Sequence, residues 1–348
     1  LSDLATLKNQ PKDNKSHKTP AGQLDAIFEA LPPLVERHAA GFAQVEAELR
    51  EKGLVRLGGS ELSEEDMAQL SRYFEAHLAP IISPMVVDPR HPFPNLRSGR
   101  LYVACALDGL PEPDALGIIE VPASEQRVVA LGSGTRAFRY VLLEDVLRLF
   151  LDRCFGDYAP SRSCVLRVTR NADIDPDDEG VEEEEDYRQH MKKVLKMRQR
   201  LQPVRLEVQG GLDVKLEEVV LDELGLETRR AFHVDRPLDL GYVYGLEAKI
   251  PDWAHAECVF APFEPQPSPM VDLSRPMRPQ VEDHDVLLTY PYESMRPLLR
   301  LLREASADDS CIQIKITLYR VAKSSHLCES LIAAAEAGKD VTVLMELR

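Results

Sequence analysis

The sequence lacks the features that would mark a membrane-spanning or secreted protein. No stretch approaches the run of about eighteen consecutive apolar residues that a transmembrane helix needs. The first twenty residues are too polar and too rich in lysine to form a signal peptide. We therefore expect a cytoplasmic protein without a transmembrane segment, and peripheral association with a membrane stays open.

Disulfide and metal-binding patterns are also missing. The six cysteines form no Cys-x-x-Cys pair, and the nine histidines form no His-Glu-x-x-His or comparable ligand spacing. We interpret the cysteines as reduced, buried thiols rather than as a disulfide framework or a zinc site. His91, between Arg90 and Pro92, is the one histidine in an unusual setting, and we expect it to have a structural role in a proline-rich corner.

Basic side chains are outnumbered by acidic ones. The formal net charge of -16 argues against a nucleic-acid-binding protein, whose affinity depends on basic side chains that contact phosphates. The excess is uneven, because residues 1–80 carry a net charge of -4, residues 81–270 carry -10 and residues 271–348 carry only -2. The C-terminal part of the chain is therefore expected to repel an anionic ligand least.

Residues 1–80 have the pattern of a helical N-terminal domain. Apolar side chains recur at three- and four-residue spacing from Leu24 to Leu49, which predicts two amphipathic helices. A third helix is predicted to begin at Ser63, because Asp66 follows three positions later as in a capping box.

Residues 81–270 change to a mixed α+β pattern. Strands are predicted at residues 101–107, 117–121, 127–131, 139–142, 164–169 and 204–208. Helices are predicted near residues 144–155, 181–201 and 212–224, and the second of these is strongly charged. The proline-rich passage at residues 251–279 indicates a domain boundary near residue 270.

Residues 271–348 predict the start of an α/β domain. A helical stretch at residues 292–305 precedes a strictly alternating strand at residues 311–319, an alanine-rich helix at residues 325–336 and an apolar strand at residues 341–347. A strand, a helix and a second strand in this order predict a parallel pair with a right-handed crossover. The sequence begins at Leu1 rather than methionine and ends inside a strand pattern at Arg348, so we expect a chain that is cut at both ends.

Arg320 is the candidate binding residue. It directly follows the alternating strand, and ligands of open parallel sheets bind beyond the carboxyl ends of the strands. A guanidinium group there can form a bidentate contact with a phosphate. The pattern alone leaves a second interpretation open, in which Arg320 caps a helix or pairs with a surface carboxylate.

An acidic loop offers a weaker candidate site. Asp173, Asp175, Asp177 and Glu184 have the spacing of some ligands of a calcium-binding loop, but the glycine that such a loop requires is replaced by Asp178. We interpret this segment as a solvated acidic loop.

Five segments resemble one family, the long, multi-domain polyphosphate kinases. The resemblance is strongest in three C-terminal segments: Asp-Val-Leu-Leu-Thr-Tyr-Pro-Tyr-Glu-Ser at residues 285–294, Ile-Lys-Ile-Thr-Leu-Tyr-Arg-Val-Ala at residues 314–322, and the run at residues 335–347. Residues 87–94 and 167–173 resemble segments of that family's head domain.

The resemblance implies both a fold and an activity. The implied fold has a helical N-terminal domain (1–80), an α+β head domain used in dimerisation (81–270), and the beginning of a catalytic core similar to the phospholipase D superfamily (271–348). The implied activity is reversible transfer of the terminal phosphate of ATP to inorganic polyphosphate, with Mg²⁺ and through a phosphohistidine. The implied partners are ATP or ADP, polyphosphate and a second copy of the chain.

The resemblance also assigns residues. Arg320 matches the family's first arginine at the Mg²⁺ and triphosphate site. No histidine of this chain matches the phosphorylated one, so we assign no catalytic residue and expect the fragment to be inactive alone. Two alternatives remain, a dimerisation or binding module and a fragment of a phospholipase D-like hydrolase, and the long regions before residue 271 fit the hydrolase less well.

Overall fold

The computed structural model describes residues 12–108, 115–132, 137–156, 158–170, 202–211, 214–319, 321 and 325–345. Contacts between residues divide the chain into two compact units, unit 1 (residues 1–259) and unit 2 (residues 260–348). Each unit is described by itself. The predicted domain boundaries at residues 80 and 270 stay predictions.

Unit 1 combines helices with two sheets. Its described strands are β1 (Leu54–Arg56), β2 (Met85–Val87), β3 (Leu101–Asp108), β4 (Leu116–Glu120), β5 (Val128–Ala130), β6 (Phe138–Leu142), β7 (Ala159–Arg170), β8 (Pro203–Gln209) and β9 (Ala231–Val234). Its described α-helices are α1 (Pro20–Glu51), α2 (Glu64–Tyr73), α3 (Leu143–Leu149), α4 (Val214–Leu224), α5 (Tyr242–Glu247) and α6 (Asp252–Cys258). The predicted charged helix at residues 181–201 lies outside the described residues.

Helix α1 is a single helix, so the prediction of two helices here was wrong. It contains Pro32 and Pro33, which cannot donate backbone hydrogen bonds and normally interrupt a helix. Leu31 before this pair and Val35 after it both pack against the same apolar cluster, which includes Phe232. Packing on both sides of the prolines keeps the two halves in one helix.

The predicted start of α2 is confirmed. The Ser63 hydroxyl accepts a hydrogen bond from the backbone N–H of Asp66 at 3.2 Å, and the Asp66 carboxylate accepts one from the backbone N–H of Ser63 at 3.0 Å. Arg139, on β6, also donates to Asp66. Although burial opposes it, these hydrogen bonds hold the pKa of Asp66 below its usual value. The cap therefore fixes α2 to a sheet as well as starting the helix.

The larger sheet of unit 1 has the order β2-β4-β3-β7-β8-β9. Its strands pair antiparallel, except that β8 and β9 are parallel. Val103 and Val165 belong to the apolar cluster that contains α2 and α3, whereas Ala104 and Leu166 belong to the cluster that contains α4. The central strands are therefore buried on both faces, which explains their long apolar runs.

The smaller sheet has the order β1-β6-β5. Strand β1 pairs in parallel with β6, so that Leu54 lies beside Phe138. Residues of the predicted N-terminal region thus share a sheet with residues of the predicted head region. Sequence patterns did not indicate β1, because it has only three residues.

The six cysteines are free, as expected from the sequence, but only Cys105 and Cys164 are buried. Burial raises the pKa of each of these two thiols to about 12. Thiols with such a high pKa are unreactive packing groups at neutral pH.

Unit 2 has the predicted β-α-β order. Its described elements are α7 (Met277–Asp283), α8 (Arg296–Ala307), β10 (Gln313–Leu318), α9 (His326–Glu336) and β11 (Asp340–Met345). Strands β10 and β11 are parallel, as predicted. Ile314 packs with Leu302 of α8 and Leu331 of α9 in one apolar cluster, so both helices cover the same face of the sheet. No described helix has the length and apolar composition to cross a membrane.

Gly117 tests the packing of unit 1. A Cβ atom there would lie 2.6 Å from Cζ of Phe155 and 2.9 Å from Sγ of Cys105, both buried. We expect Gly117→Ala to lower the free energy of unfolding by about 1–3 kcal/mol, because the core cannot take an added methyl group without strain. Urea denaturation followed by circular dichroism measures the change.

Gly41 supplies the matched control. It lies inside α1, and an added Cβ there meets no atom within 4 Å. Gly41→Ala should raise the free energy of unfolding by about 0.5–1 kcal/mol, because alanine loses less backbone entropy in a helix. Equal effects of the two substitutions would contradict this description of the core.

Asp145 makes the stability of unit 1 depend on pH. Burial, together with the neighbouring Glu144, raises its pKa to about 6, although Arg148 lies at 3.6 Å and Arg56 at 4.0 Å. The folded protein therefore holds this proton more tightly than the unfolded chain, and the resulting stabilisation is lost as the pH rises from about 4 through about 6. The free energy of unfolding of Asp145→Asn, relative to that of wild type, should therefore increase by up to about 3 kcal/mol between pH 4 and pH 7.

Urea unfolding of both proteins at pH 4.5 and pH 7.5 checks this expectation. The quantity of interest is the difference in unfolding free energy between variant and wild type. In this difference the contributions of the other titrating groups cancel, because both proteins contain them. A difference that stays constant with pH, or that favours wild type as the pH rises, would contradict the raised pKa of the partly buried Asp145.

Candidate functional site

The candidate site is the carboxyl edge of the β10–β11 pair. The register places Leu318 beside Met345, the last residues of the two strands. Because parallel strands point the same way, both strands end at this edge of the sheet. This edge is where open parallel sheets bind their ligands.

Arg320, the predicted binding residue, lies outside the described residues. Tyr319, immediately before it, follows the last residue of β10 and is 72% exposed. The described part of the chain thus reaches the residue before Arg320, and the predicted contact of Arg320 with phosphate stays a prediction.

Helix α9 begins at the same edge. It connects the carboxyl end of β10 to the amino end of β11, so its first turn lies near the end of β10. The Ser325 hydroxyl accepts a hydrogen bond from the backbone N–H of Cys328 at 3.4 Å and caps the helix. The amino end of a helix carries unpaired N–H groups and a partial positive charge, both of which attract an anion.

The opposite, amino edge of the sheet has its charges paired. Arg278 forms ion pairs with Asp308 at 2.5 Å and with Glu282 at 2.7 Å. Lys339 donates to the backbone carbonyl oxygen of Asp308 at 2.6 Å. Hydrogen bonds from Ser310 and Arg278 lower the pKa of Asp308 to about 2. An incoming anion is therefore favoured at the carboxyl edge rather than at this one.

The two faces of β10 differ as the alternation predicted. Ile314, Ile316 and Leu318 pack toward α8 and α9, while Lys315 and Thr317 are exposed on the other face. Ile312 was predicted to share the packed face, but it precedes the strand and is 79% exposed.

The described residues contain no group of three or more His, Cys, Asp or Glu side chains that could hold a metal ion. Mg²⁺ prefers oxygen ligands, and a guanidinium group has no lone pair to offer it. The described residues therefore do not fit a Mg²⁺ site on their own. The predicted association of Arg320 with a Mg²⁺-phosphate site stays a prediction.

The other sequence candidates belong to unit 1. His91 lies in a turn, where Asp88 accepts a hydrogen bond from its backbone N–H, and Nδ1 of its ring is 2.9 Å from Oδ1 of Asp88. Its ring is 65% exposed, so its role comes from hydrogen bonding rather than from packing. The four candidate ligands of the acidic loop lie outside the described residues: Asp173, Asp175, Asp177 and Glu184.

Sequence patterns missed the first turn of α9 as part of the site. The signal was present, since Ser325 opens an alanine-rich helix a few residues after a strand that carries an arginine at its end. Reading the two features together would have placed helix N–H groups and a guanidinium group on one edge.

Two family profiles match the chain. The profile described as "Polyphosphate kinase middle domain" matches residues 65–246, and the profile described as "Polyphosphate kinase C-terminal domain 1" matches residues 277–348. Together they span most of the chain. The first covers every described strand of unit 1 except β1, and the second covers the whole β-α-β unit.

Individual relatives agree with the profiles. The chain is 33% identical over 343 residues to the polyphosphate kinase of Exiguobacterium sibiricum, which covers 98% of this chain and 47% of that protein. It is 32% identical over 354 residues to the polyphosphate kinase of Bacillus cereus, covering 98% and 49%. The chain thus spans about half the length of these curated relatives.

A solved structure has the same fold. The crystal structure of polyphosphate kinase from Porphyromonas gingivalis superimposes with a TM-score of 0.72 at 23% sequence identity, and the match covers 94% of this chain and 48% of that one. The likeness confirms a mixed α and β, multi-domain architecture.

Proposed function

This chain belongs to the polyphosphate kinase family, and we propose from that membership that it is part of an enzyme that reversibly transfers the terminal phosphate of ATP to inorganic polyphosphate. The observation that carries the proposal is the parallel β10–β11 pair inside the matched C-terminal segment. Its carboxyl edge brings together the position after β10 and the start of α9.

The chemistry of phosphate transfer suits this edge. Both the donor and the acceptor are polyanions, so a transferring enzyme must neutralise charge on the phosphate that moves. We propose that Arg320 binds a phosphate of ATP through its guanidinium group and that the first N–H groups of α9 contribute to the same anion site. Residues 271–348 carry a net charge of only -2, so this part of the chain itself repels a polyanion less than residues 81–270 do.

Mg²⁺ would be held mainly by phosphate oxygens of the bound nucleotide, since the described residues offer no ligand set of their own. Bound there, the ion would neutralise phosphate charge. This chain's share is to position the phosphates at the strand ends.

The remaining parts of the proposal concern organisation. We propose a helical region over residues 1–80, a head domain that pairs two copies over residues 81–270, and a phospholipase D-like core that begins at residue 271, in a cytoplasmic enzyme. The two matched profiles and the likeness to a solved polyphosphate kinase support a multi-domain polyphosphate kinase and do not favour the alternatives of a binding module or a phospholipase D-like hydrolase.

We predict that Arg320→Ala, in the protein encoded by the full gene, lowers the rate of polyphosphate synthesis from ATP by at least about tenfold, because one charged contact to the transferring phosphate is lost. Arg278→Ala is the matched control, since it removes an arginine from the amino edge of the same sheet. Unchanged synthesis in Arg320→Ala, or an equal loss in both variants, would remove Arg320 from the site.

We also predict that this 348-residue chain by itself takes up no label from γ-³²P-ATP. None of its histidines matches the family's phosphorylated histidine, so there is no nucleophile to carry the phosphoryl group. The measurement is incubation with labelled ATP followed by separate acid and base treatment. Phosphohistidine on the chain, which survives base and is lost in acid, would refute the expectation.

A further inference from the structure

Three arginines of unit 1 lie near the carboxylate of Glu207. Arg167 lies on β7, directly beside Glu207 on β8, and Arg205 lies two residues before Glu207 on the same face of that strand. Arg236 follows β9, and its electrostatic neighbours are Glu207, Arg205 and Arg167. Three adjacent strands therefore bring three guanidinium groups and one carboxylate together, with a net charge of +2.

Among the described residues, this cluster has fewer hydrogen-bond acceptors than its guanidinium groups need. Glu207 accepts from Arg205 at 2.9 Å. Arg167 donates to the backbone carbonyl oxygen of Leu238 at 3.2 Å, and Arg236 donates to that of Pro237 at 2.8 Å. The Nε–H groups of all three arginines are buried and have no hydrogen-bond acceptor among the described residues.

Burial makes the missing acceptors costly. Arg236 is only 7% exposed, and Glu207 only 5%. A buried guanidinium group with an unpaired N–H loses hydration without regaining a hydrogen bond, which proteins normally avoid. In a chain with a net charge of -16, positive charge concentrated inside unit 1 is also unusual. Both features fit a site that is completed by an anion.

We propose that Arg167, Arg205 and Arg236 form a binding site in unit 1 for a phosphate group. A guanidinium group offers Nε–H and terminal N–H donors in one plane, which match two oxygens of a phosphate. Two net positive charges match a doubly charged phosphate better than a singly charged carboxylate.

The surroundings suit such a ligand. The side chain of Arg205 is 31% exposed, which gives an approach from solvent, whereas Arg236 is buried. The Arg205 guanidinium lies 4.8 Å from the centre of the Phe232 ring, and this contact holds it in place. The ligand source is either free phosphate or a phosphate within a longer chain or nucleotide.

Isothermal titration calorimetry tests the proposal, with orthophosphate, tripolyphosphate and ATP as separate titrants at low salt, because exposed ionic contacts are screened by salt. The chain carries Arg320→Ala throughout, so that the site proposed in unit 2 does not contribute. The inference does not rest on the proposed function, and its failure would leave that function untouched.

Two variants should change affinity in opposite directions. Arg205→Gln is expected to raise Kd at least about tenfold through loss of a charged contact. Glu207→Gln, which has nearly the same shape, is expected to lower Kd about threefold or more by removing the one negative charge that competes with the ligand. Arg153→Gln is the matched control, since Arg153 is a partly exposed arginine of unit 1 paired with Glu75, and its Kd should stay unchanged.

The outcomes separate clearly. Saturable binding of orthophosphate or tripolyphosphate with these opposite shifts supports the site. If tripolyphosphate binds more tightly than orthophosphate, the ligand is a phosphate chain. If the two bind with equal affinity, the site recognises a single phosphate group. No saturable binding of any of the three titrants, or equal affinities in Arg205→Gln and Arg153→Gln, would overturn it. If Arg205→Gln fails to fold by circular dichroism, unchanged or weaker binding in Glu207→Gln overturns the proposal by itself.

Discussion

Parallel pairing of β10 with β11 is the constraint on which the functional account of this chain depends. Two parallel strands joined by a helix must place both carboxyl ends and the start of that helix at one edge. Hydrophobic packing of Ile314 against α8 and α9 holds the arrangement. The direction of the strands, rather than any single side chain, therefore determines the edge at which we propose that an anion binds.

Unit 1 differs, because its strands are mostly antiparallel and because many of its charged side chains form buried or partly buried ion pairs. Arg127 forms a bidentate ion pair with Glu144, with distances of 2.5 and 3.1 Å, and Glu144 is 1% exposed. Arg139 similarly neutralises Asp66 in the first turn of α2. These pairs are complete, so removing one partner leaves a buried charge. The cluster around Glu207 differs because its arginines outnumber its carboxylate.

Local patterns predicted much of the fold. The alternation at residues 311–319 and the cap at Ser63 were both readable from neighbours in sequence. Pairing between distant segments was not readable. Nothing in the three residues of β1 indicates a parallel partner more than eighty positions later. The single helix across Pro32 was missed because packing overrode a local breaker.

The two candidate sites also differ in how far the sequence predicted them. Arg320 was predicted because it ends a strand whose pattern is unmistakable, and the family resemblance gave it a role. The three arginines of unit 1 were missed because they come from separate strands, and only the register of β7 with β8 brings Arg167 beside Glu207. The available signal was weak: Arg205 and Glu207 alternate with apolar residues, which shows that they share a face but not what lies opposite.

Hydrogen exchange tests the central claim most directly. The protein encoded by the full gene would be compared with and without a non-hydrolysable ATP analogue, and exchange would be followed by mass spectrometry. If phosphates bind at the carboxyl edge, the amides that open α9, at residues 326–329, should exchange more slowly, while those at residues 308–313 on the amino edge should not change. Protection of residues 308–313, with none at the start of α9, would contradict the account.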